Sequence, residues 1–445
     1  MIGEAQAKAI LERALGYSRA DQTEALLLAG ENNLTRFANS AIHQNVAGQN
    51  ATLHVRAVLG KRIGQASTND LGDAAVRRVV ASARDIARLQ AENPDFVSLP
   101  APAPLRAAPG YVARTASWTP EERARAVALI CDRAKGAALN AAGACSADVE
   151  EIAVANSLGI LAYHARTVAE ISTVVMSADS SGYAHRVALD AGTIDVAGLA
   201  DEAVDKALRG RRPIAVPPGD YEVILEPYAV QDIVAFLADL GLNALAVKEQ
   251  RSFMCGRFGQ RLAGENVSLY DDGLDPRGLP LPFDFEGVPK ERVDFFTRGV
   301  ATAVAYDSYL AFQEGKPSTG HALPSPIASG PLPLNMFMEG GSATPGELLS
   351  GVKRGLWVTR FWYTRPVEPL QATVTGMTRD GTFLVENGAL AGPVKNLRFT
   401  QAYLEALNAV DGITRDTQLI HEGGMTFRVP TIKVRKWTFV SATEY

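Results

Sequence analysis

The chain has 445 residues, with 44 Lys and Arg against 49 Asp and Glu, so its formal charge is −5 and no strong field points toward nucleic acid or anionic lipid. Hydrophobic residues at 47% and charged residues at 21% describe an ordinary globular chain, long enough for about two or three domains. The longest uncharged stretch, residues 317–338, holds five prolines and two glycines and reads as a loop, which excludes a membrane helix there.

Apolar residues Ala5, Ala9, Ile10 and Ala14 recur at helical spacing between charges, predicting an amphipathic helix that stops at Gly16 and lacks the pattern of a signal peptide. Residues 24–28 read as a strand and 34–42 as a short helix or strand. In 51–59, Leu53, Val55, Ala57 and Leu59 alternate with Thr52, His54 and Arg56, the period of a strand. Gly60 and Lys61 turn it into a partner strand at 62–67; His54 is on the polar side of the alternation and His43 just before it, both read as solvated or core-edge residues and not as ligands. Residues 71–92 form a long helix with Ala75, Val76, Val79, Val80, Ala83, Ile86 and Ala87 on one face. Five prolines make 93–110 an extended connector, and Thr119, Pro120 and Glu122 announce a capped helix. Strands at 149–155, 160–176 and 183–189 read as antiparallel neighbours, followed by a helix at 196–208 and a basic, proline-rich boundary at 209–219.

The second half opens with a strand at 221–225 and a helix at 229–240 whose Val230, Ile233, Val234 and Leu237 share a face. A loop-heavy region fills 255–288. A helix at 344–353 precedes strands at 356–361, 372–379, 382–386 and 388–394, with Asp380-Gly381 and Asn387-Gly388 read as tight turns between them. No repeat of fixed period is visible. The expected fold is α/β of the α+β kind, with an N-terminal domain at 1–210, a linker at 211–219 and a strand-rich C-terminal domain at 220–445.

Phosphate-binding loops, a dinucleotide fingerprint and a serine-nucleophile elbow are all absent from the sequence. Ser350 and Lys353 fit SxxK only formally and read as a helix end. Cys131, Cys145 and Cys255 form no CxxC pair, which predicts small buried thiols in a reducing compartment, the cytoplasm. His421-Glu422 is half a zinc motif, because no second histidine follows one turn on. None of the six histidines lies within five residues of another, so a metal site would have to be assembled from distant residues such as His321, His421 and Glu422.

Several segments, in order, resemble the TldD/PmbA (TldE) family, called modulators of DNA gyrase and placed among metallopeptidases. They are LTRFANSAIHQN, TLHVRAVLGKRIGQASTNDL, YEVILEPYAVQDIVAFL, SLYDDGLDPRGLPLPFDFEGVP, the STGHA loop, ELLSGVKRGLWVTRFW and FLVENGALAGPVKNLRFTQAYLEAL. In the catalytic, TldD-like members, the resemblance implies a HExxxH helix that supplies two zinc ligands and the general base, completed by a downstream cysteine. Here the matching helix, 228–237, has neither His nor Glu, and the matching stretch 353–363 has no Cys.

The resemblance therefore implies the TldE (PmbA) type: a subunit with no catalytic or metal-binding residues of its own in a TldD/TldE-type metallopeptidase that processes unfolded or leader peptides. Zinc is expected in a TldD-like partner, with an extended peptide as substrate and neither nucleic acid nor membrane as ligand. A homodimeric peptide-binding or regulatory protein, and a hydrolase with a non-standard site, remain the other readings. Candidate contacts for peptide or partner are Trp357, Arg360, Trp362 and Tyr363, since aromatics and Arg are enriched where surfaces meet, although strand alternation also sends such residues into a core. Asp284 and Glu286 of the DFEG loop and His321 of the STGHA loop complete the set.

Overall fold

The computed structural model describes residues 1–324 and 330–443, leaving 325–329 of the uncharged loop outside the described residues. The first half runs α1 (Glu4–Tyr17), β1 (Gln22–Ala38), β2 (Ala41–Leu59), β3 (Arg62–Thr68), α2 (Asp73–Leu89), a short α3 (Ala113–Ala116), α4 (Pro120–Gly136), β4 (Asn140–Asn156), β5 (Leu161–Met176), β6 (Ser181–Ala188) and α5 (Val196–Arg209). Its strands form one antiparallel sheet in the order β3-β2-β1-β4-β5-β6. Segment 34–42 is wholly extended apart from a turn at Asn39 and Ser40, both with positive φ. Its local pattern was ambiguous because the deciding contact is tertiary: Phe37 is buried beside Cys145 and the α4 core. Thr119 and Glu122 make the reciprocal capping box at the start of α4.

Two α-β-β-β-α units make up this sheet, joined side by side through β1 and β4. A glycine marks the same packing point in each. A Cβ on Gly64 of β3 would lie 2.1 Å from the Ala83 carbonyl oxygen of α2, and one on Gly182 of β6 would lie 2.2 Å from the Ala203 carbonyl oxygen of α5. The repeat escapes the sequence because it preserves shape and two close helix-strand approaches, not a periodic motif.

The second half begins with β7 (Gly219–Leu225), α6 (Pro227–Gly241) and α7 (Ala244–Lys248). Short strands β8 (Leu269–Asp271), β9 (Val293–Thr297) and β10 (Val300–Ala301) lead to α8 (Ser308–Glu314), β11 (Asn335–Met338) and α9 (Pro345–Ser350). The chain ends with β12 (Arg354–Glu368), β13 (Thr373–Glu386), β14 (Ala389–Pro393), β15 (Leu397–Ala402), α10 (Tyr403–Asn408), β16 (Val410–Glu422) and β17 (Met425–Ala442). Strand β17 pairs with both β15 and β7, so β13, β12, β7, β17 and β15 close into a ring. Phe361, Phe399, Tyr403 and Trp437 stack in the core beside it, with ring centroids 4.5–5.8 Å apart.

Two expectations are corrected here. The end of the uncharged stretch is strand β11, whose residues are buried. Asp380-Gly381 is no turn between strands: β13 is continuous, and Arg360↔Arg379 followed by Val358↔Thr382 sets two residues opposite Thr359 alone. This is a bulge, for which Asp380 (φ 57°) and Gly381 (φ 123°) supply the backbone. Asn387-Gly388 does make the tight turn into β14.

Strand alternation docks the halves. Leu27, Leu53 and Val55 face α1 and α2, whereas Leu26, Ile152 and Val154 face the opposite way and pack against Leu281 and Phe283 of the second half. Both faces at the middle of the first sheet are therefore covered.

Candidate functional site at the junction of the two halves

Helix α6 starts where β7 ends, with Pro227 at its first position and Glu226 just before it. The Glu226 side chain caps nothing. It accepts hydrogen bonds from Lys206 Nζ at 2.6 Å, Trp357 Nε1 at 2.6 Å and Thr359 Oγ1 at 3.4 Å. Lys206, on α5, also donates to Glu202 one turn earlier at 2.7 Å, and Glu202 accepts from Arg186 at 2.7 Å and the Tyr228 hydroxyl at 3.2 Å. A ladder Arg186–Glu202–Lys206–Glu226–Trp357 thus crosses from first half to second and lines an open cleft of about 580 Å³. Burial opposes the charge on Lys206, but the Glu226 and Glu202 carboxylates outweigh it and hold its pKa above the ordinary lysine value. Burial likewise opposes the Glu202 charge, and Lys206 and Arg186 reverse the effect and lower its pKa.

On α6 itself Tyr228 and Asp232 are already committed. The Tyr228 hydroxyl accepts from the His185 backbone N–H at 3.1 Å and from Arg186 at 3.1 Å. Asp232 accepts from the Tyr403 hydroxyl at 2.6 Å and Thr364 Oγ1 at 2.7 Å, and burial pushes its carboxyl up to about 6. A zinc site needs three or more imidazole, thiolate or carboxylate ligands converging with one position open. A phenol and a carboxylate holding two hydroxyl protons do not fit that requirement, and no Cys lies C-terminal to Cys255.

The β12 candidates divide between cleft and surface. Trp357 is half-buried in the ladder. Arg360 donates from Nε to Asp380 at 2.6 Å, with its guanidinium 4.1 Å from the Tyr183 ring centroid and 5.2 Å from that of Trp362. Trp362 is 44% exposed and Tyr363 59% exposed, flanked by Arg379 at 5.0 Å and Arg365 at 4.4 Å from the respective rings. Val367, near the end of β12, and Leu370, just beyond it, are exposed as well.

Asp284, Glu286 and His321 come together, but in the interior. Asp284 accepts from the backbone N–H groups of Glu286, Val288 and Ala322 at 2.9–3.0 Å, while burial and the Glu286 charge push its pKa up. Glu286 binds Arg56 of β2 at 2.9 Å, and Arg56 binds Glu24 at 2.6 Å, which ties this loop to the first sheet. His321 Nε2 pairs with Asp271 at 3.0 Å and its Nδ1 with Thr319 Oγ1 at 2.9 Å. These three residues are at most 7% exposed, and of them only Glu286, through Arg56, reaches across to the first half.

His421 is elsewhere, with Nδ1 3.2 Å from Glu170 Oε2, while His185 Nε2 holds the other Glu170 oxygen at 3.0 Å. The set His321, His421 and Glu422 is not assembled, and among the described residues no group of three His, Cys, Asp or Glu side chains is arranged to hold a metal. Sequence reading missed the ladder, although Glu202 and Lys206 stand one turn apart on a helix it did identify.

Fold and junction together define a mixed α+β protein whose two halves meet at the start of the helix that follows the first strand of the second half. The chain belongs to the PmbA/TldA metallopeptidase family: the C-terminal domain of that family matches residues 218–441, its domain 1 matches 23–87 and its central domain 116–211. Domain 1 and the central domain correspond to the two halves of the single first sheet. The fold is similar to that of TldE from Thermococcus kodakarensis (TM-score 0.88, 19% identity, 98% of this chain and 99% of that one). It is also similar to a Thermotoga maritima protein named for modulation of DNA gyrase (TM-score 0.87, 18% identity, 97% and 100%). In sequence the chain is 27% identical over 255 residues to a zinc metalloprotease TldD homolog of Saccharolobus solfataricus, covering 52% of this chain and 53% of the relative. It is 24% identical over 348 residues to the metalloprotease PmbA of Escherichia coli O157:H7, covering 72% and 76%. A metalloprotease of Methanothermobacter thermautotrophicus is matched over 60% of its length, so the chain spans just over half of these archaeal relatives. No helix among the described residues is long and apolar enough to cross a membrane.

Proposed function

We propose that this chain is the non-catalytic, TldE/PmbA-like subunit of a TldD/TldE-type metallopeptidase complex that processes unfolded or leader peptides in the cytoplasm, with zinc in a TldD-like partner. One observation carries the reading: α6, which corresponds to the zinc-binding helix that the resemblance gives the catalytic members, has Tyr228 and Asp232 tied into intrachain hydrogen bonds and no imidazole along its length. Zinc chemistry lowers the pKa of a bound water and polarises a peptide carbonyl, and it requires ligands this helix does not supply. The chain's own contribution is to position peptide and partner. The arginine-rimmed patch at Trp362 and Tyr363 offers aromatic faces and guanidinium donors for an extended chain, and the cleft at Trp357 offers a second concave surface.

The test is zinc content and peptidase activity of the chain purified alone, set against the chain co-expressed with a HExxxH-bearing relative. The expected result is well below one zinc per chain and no hydrolysis alone, with about one zinc and activity in the complex. Close to one zinc per chain retained through dialysis, together with peptide hydrolysis by the chain alone, overturns the reading.

A further inference from the structure

The junction cleft contains a cation that the chain itself leaves unbalanced. Three basic side chains line it, Arg186, Lys206 and Arg428. Arg186 is paired with Glu202, and Lys206 with both Glu202 and Glu226. Arg428 is different. On β17 its neighbours Phe427 and Val429 turn into the core of the second half, so strand alternation sends Arg428 the other way, toward the cleft. There it is half-buried, and among the described residues no carboxylate lies within ion-pair distance of it. Its one hydrogen bond runs from Nη1 to the Thr417 carbonyl at 3.4 Å, while Nε is buried and makes none. Asp275, whose charge reaches it, is already held by Arg277 through both oxygens, at 3.0 Å from Nε and 2.5 Å from Nη2. Burial and the neighbouring Arg277 charge both oppose the Arg428 cation and lower its pKa.

A guanidinium stays charged in a protein, so one held half out of water beside a second guanidinium is stabilised by an anion from outside the chain. The rest of the cleft suits a peptide. Trp357, Pro227 and Leu419 give it apolar walls, and the Trp357 indole N–H is already donated to Glu226, which leaves its ring as the contact surface. We propose that Arg428 is the carboxylate anchor of this cleft, binding the C-terminal carboxylate of a peptide or the side chain of an Asp or Glu within it, with the adjoining residue on the apolar walls. Carboxylates are the anions an unmodified peptide carries at neutral pH, and charge-assisted bonds to them are the strong ones. Asp416, exposed on the same cleft and in no ion pair among the described residues, opposes a second negative charge and so limits the preference to one carboxylate. This assignment rests on the reading of the chain as a peptide-positioning subunit, and it gives that reading a substrate preference.

The test is fluorescence anisotropy of the full chain, alone and with a TldD-like subunit, using short unstructured peptides of one neutral sequence that carry an uncharged dye at the N-terminus. One has a free C-terminal carboxylate, the second is amidated, and the third is amidated with an internal Gln replaced by Glu. At least one carboxylate peptide should bind about tenfold or more tighter than the neutral one. A gain with the free terminus assigns the anchor to the C-terminal carboxylate, and a gain with the internal Glu assigns it to an acidic side chain. Arg428→Gln should erase the difference, with circular dichroism checking that the fold is kept, and Asp416→Asn, a change at an exposed position, should enlarge it by about twofold or more. Equal affinity for the three peptides, a preference that survives Arg428→Gln or is indifferent to Asp416→Asn, or binding of none of them by chain or complex overturns the proposal. Equal binding by a chain that holds no zinc and hydrolyses nothing alone removes the anchor and leaves the subunit reading standing. Zinc and hydrolysis by the chain alone remove the subunit reading, whichever peptide binds best.

Discussion

Lys206→Met tests whether the ladder at the junction holds the two halves together. The ammonium lies 2.6 Å from Glu226 and 2.7 Å from Glu202, and its side chain and that of Glu226 are only 11% and 10% exposed. Removing it leaves Glu202 with Arg186 but leaves the buried Glu226 carboxylate with only neutral donors. Breaking a buried pair from one side costs about 3–5 kcal/mol, to be read from urea unfolding at pH 7. Lys206→Met/Glu226→Gln should recover at least about half of that, because the amide oxygen still accepts from Trp357 Nε1 and no charge is stranded. The pH profile gives an internal check. Glu202 has a folded pKa below its ordinary 4.5, so its share of the stability is present above that value and lost as pH falls through the folded pKa. Lys206 has a folded pKa above 10.5, so its share is complete below 10.5 and lost as pH rises through the folded value. The gap between wild type and Lys206→Met should therefore be flat from about pH 5 to 10 and shrink on the acid side. A single-variant cost below about 1 kcal/mol, or a double variant that is merely additive, refutes the reasoning.

Three further outcomes follow from the same structure. Gly64→Ala and Gly182→Ala should each lose about 1–3 kcal/mol or more in thermal unfolding, because the new methyl meets helix backbone at 2.1 and 2.2 Å, whereas Gly48→Ala, with nothing within 4 Å, should stay within about 0.5 kcal/mol. Trp362→Ala should barely change stability yet weaken the binding of a labelled extended peptide or the catalytic subunit by about tenfold or more, in fluorescence anisotropy; unchanged affinity removes the patch from the binding surface. His421→Ala should leave the peptidase activity of the assembled complex nearly unchanged, and a loss on the order of a thousandfold would falsify the non-catalytic reading.

Local chemistry was legible wherever a short range of sequence fixes the backbone. The capping box at Thr119 and Glu122, the Asn387-Gly388 turn and the alternation around Val55 each follow from neighbours within a few residues. The sequence could not show what long-range contacts decide. Segment 34–42 is extended because Phe37 enters the α4 core, and Asp380-Gly381 makes a bulge because β12 pairs with β13 on either side of it, at Arg379 and at Thr382. That bulge sets Asp380 inward, 2% exposed, to receive Arg360 and Ser181, so the loop composition gave a turn where the sheet needed a kink. The candidate residues divided in the same way. Trp362 and Tyr363 are on the surface, but nothing local tells Glu286 that Arg56, some 230 positions away, waits to pair with it, or Asp284 that the Ala322 N–H does. Polar residues in a Gly/Pro-rich segment read as solvated until the partner strand is known.

The duplicated unit shows how one half became an adapter. Ala83 and Ala87 of α2 take the same place under Gly64 that Ala203 and Ala207 of α5 take under Gly182, which aligns the two helices. At the positions where α5 carries Glu202 and Lys206, α2 then carries Ser82 and Ile86. The charged pair reaches Glu226 and binds the second half, while Ile86 remains 36% exposed and Leu89 beyond it 87% exposed. The same contrast holds for the strands: Gly110 bridges the outer edge of β5 at Arg166, whereas among the described residues no strand pairs with the outer edge of β2 before Leu53.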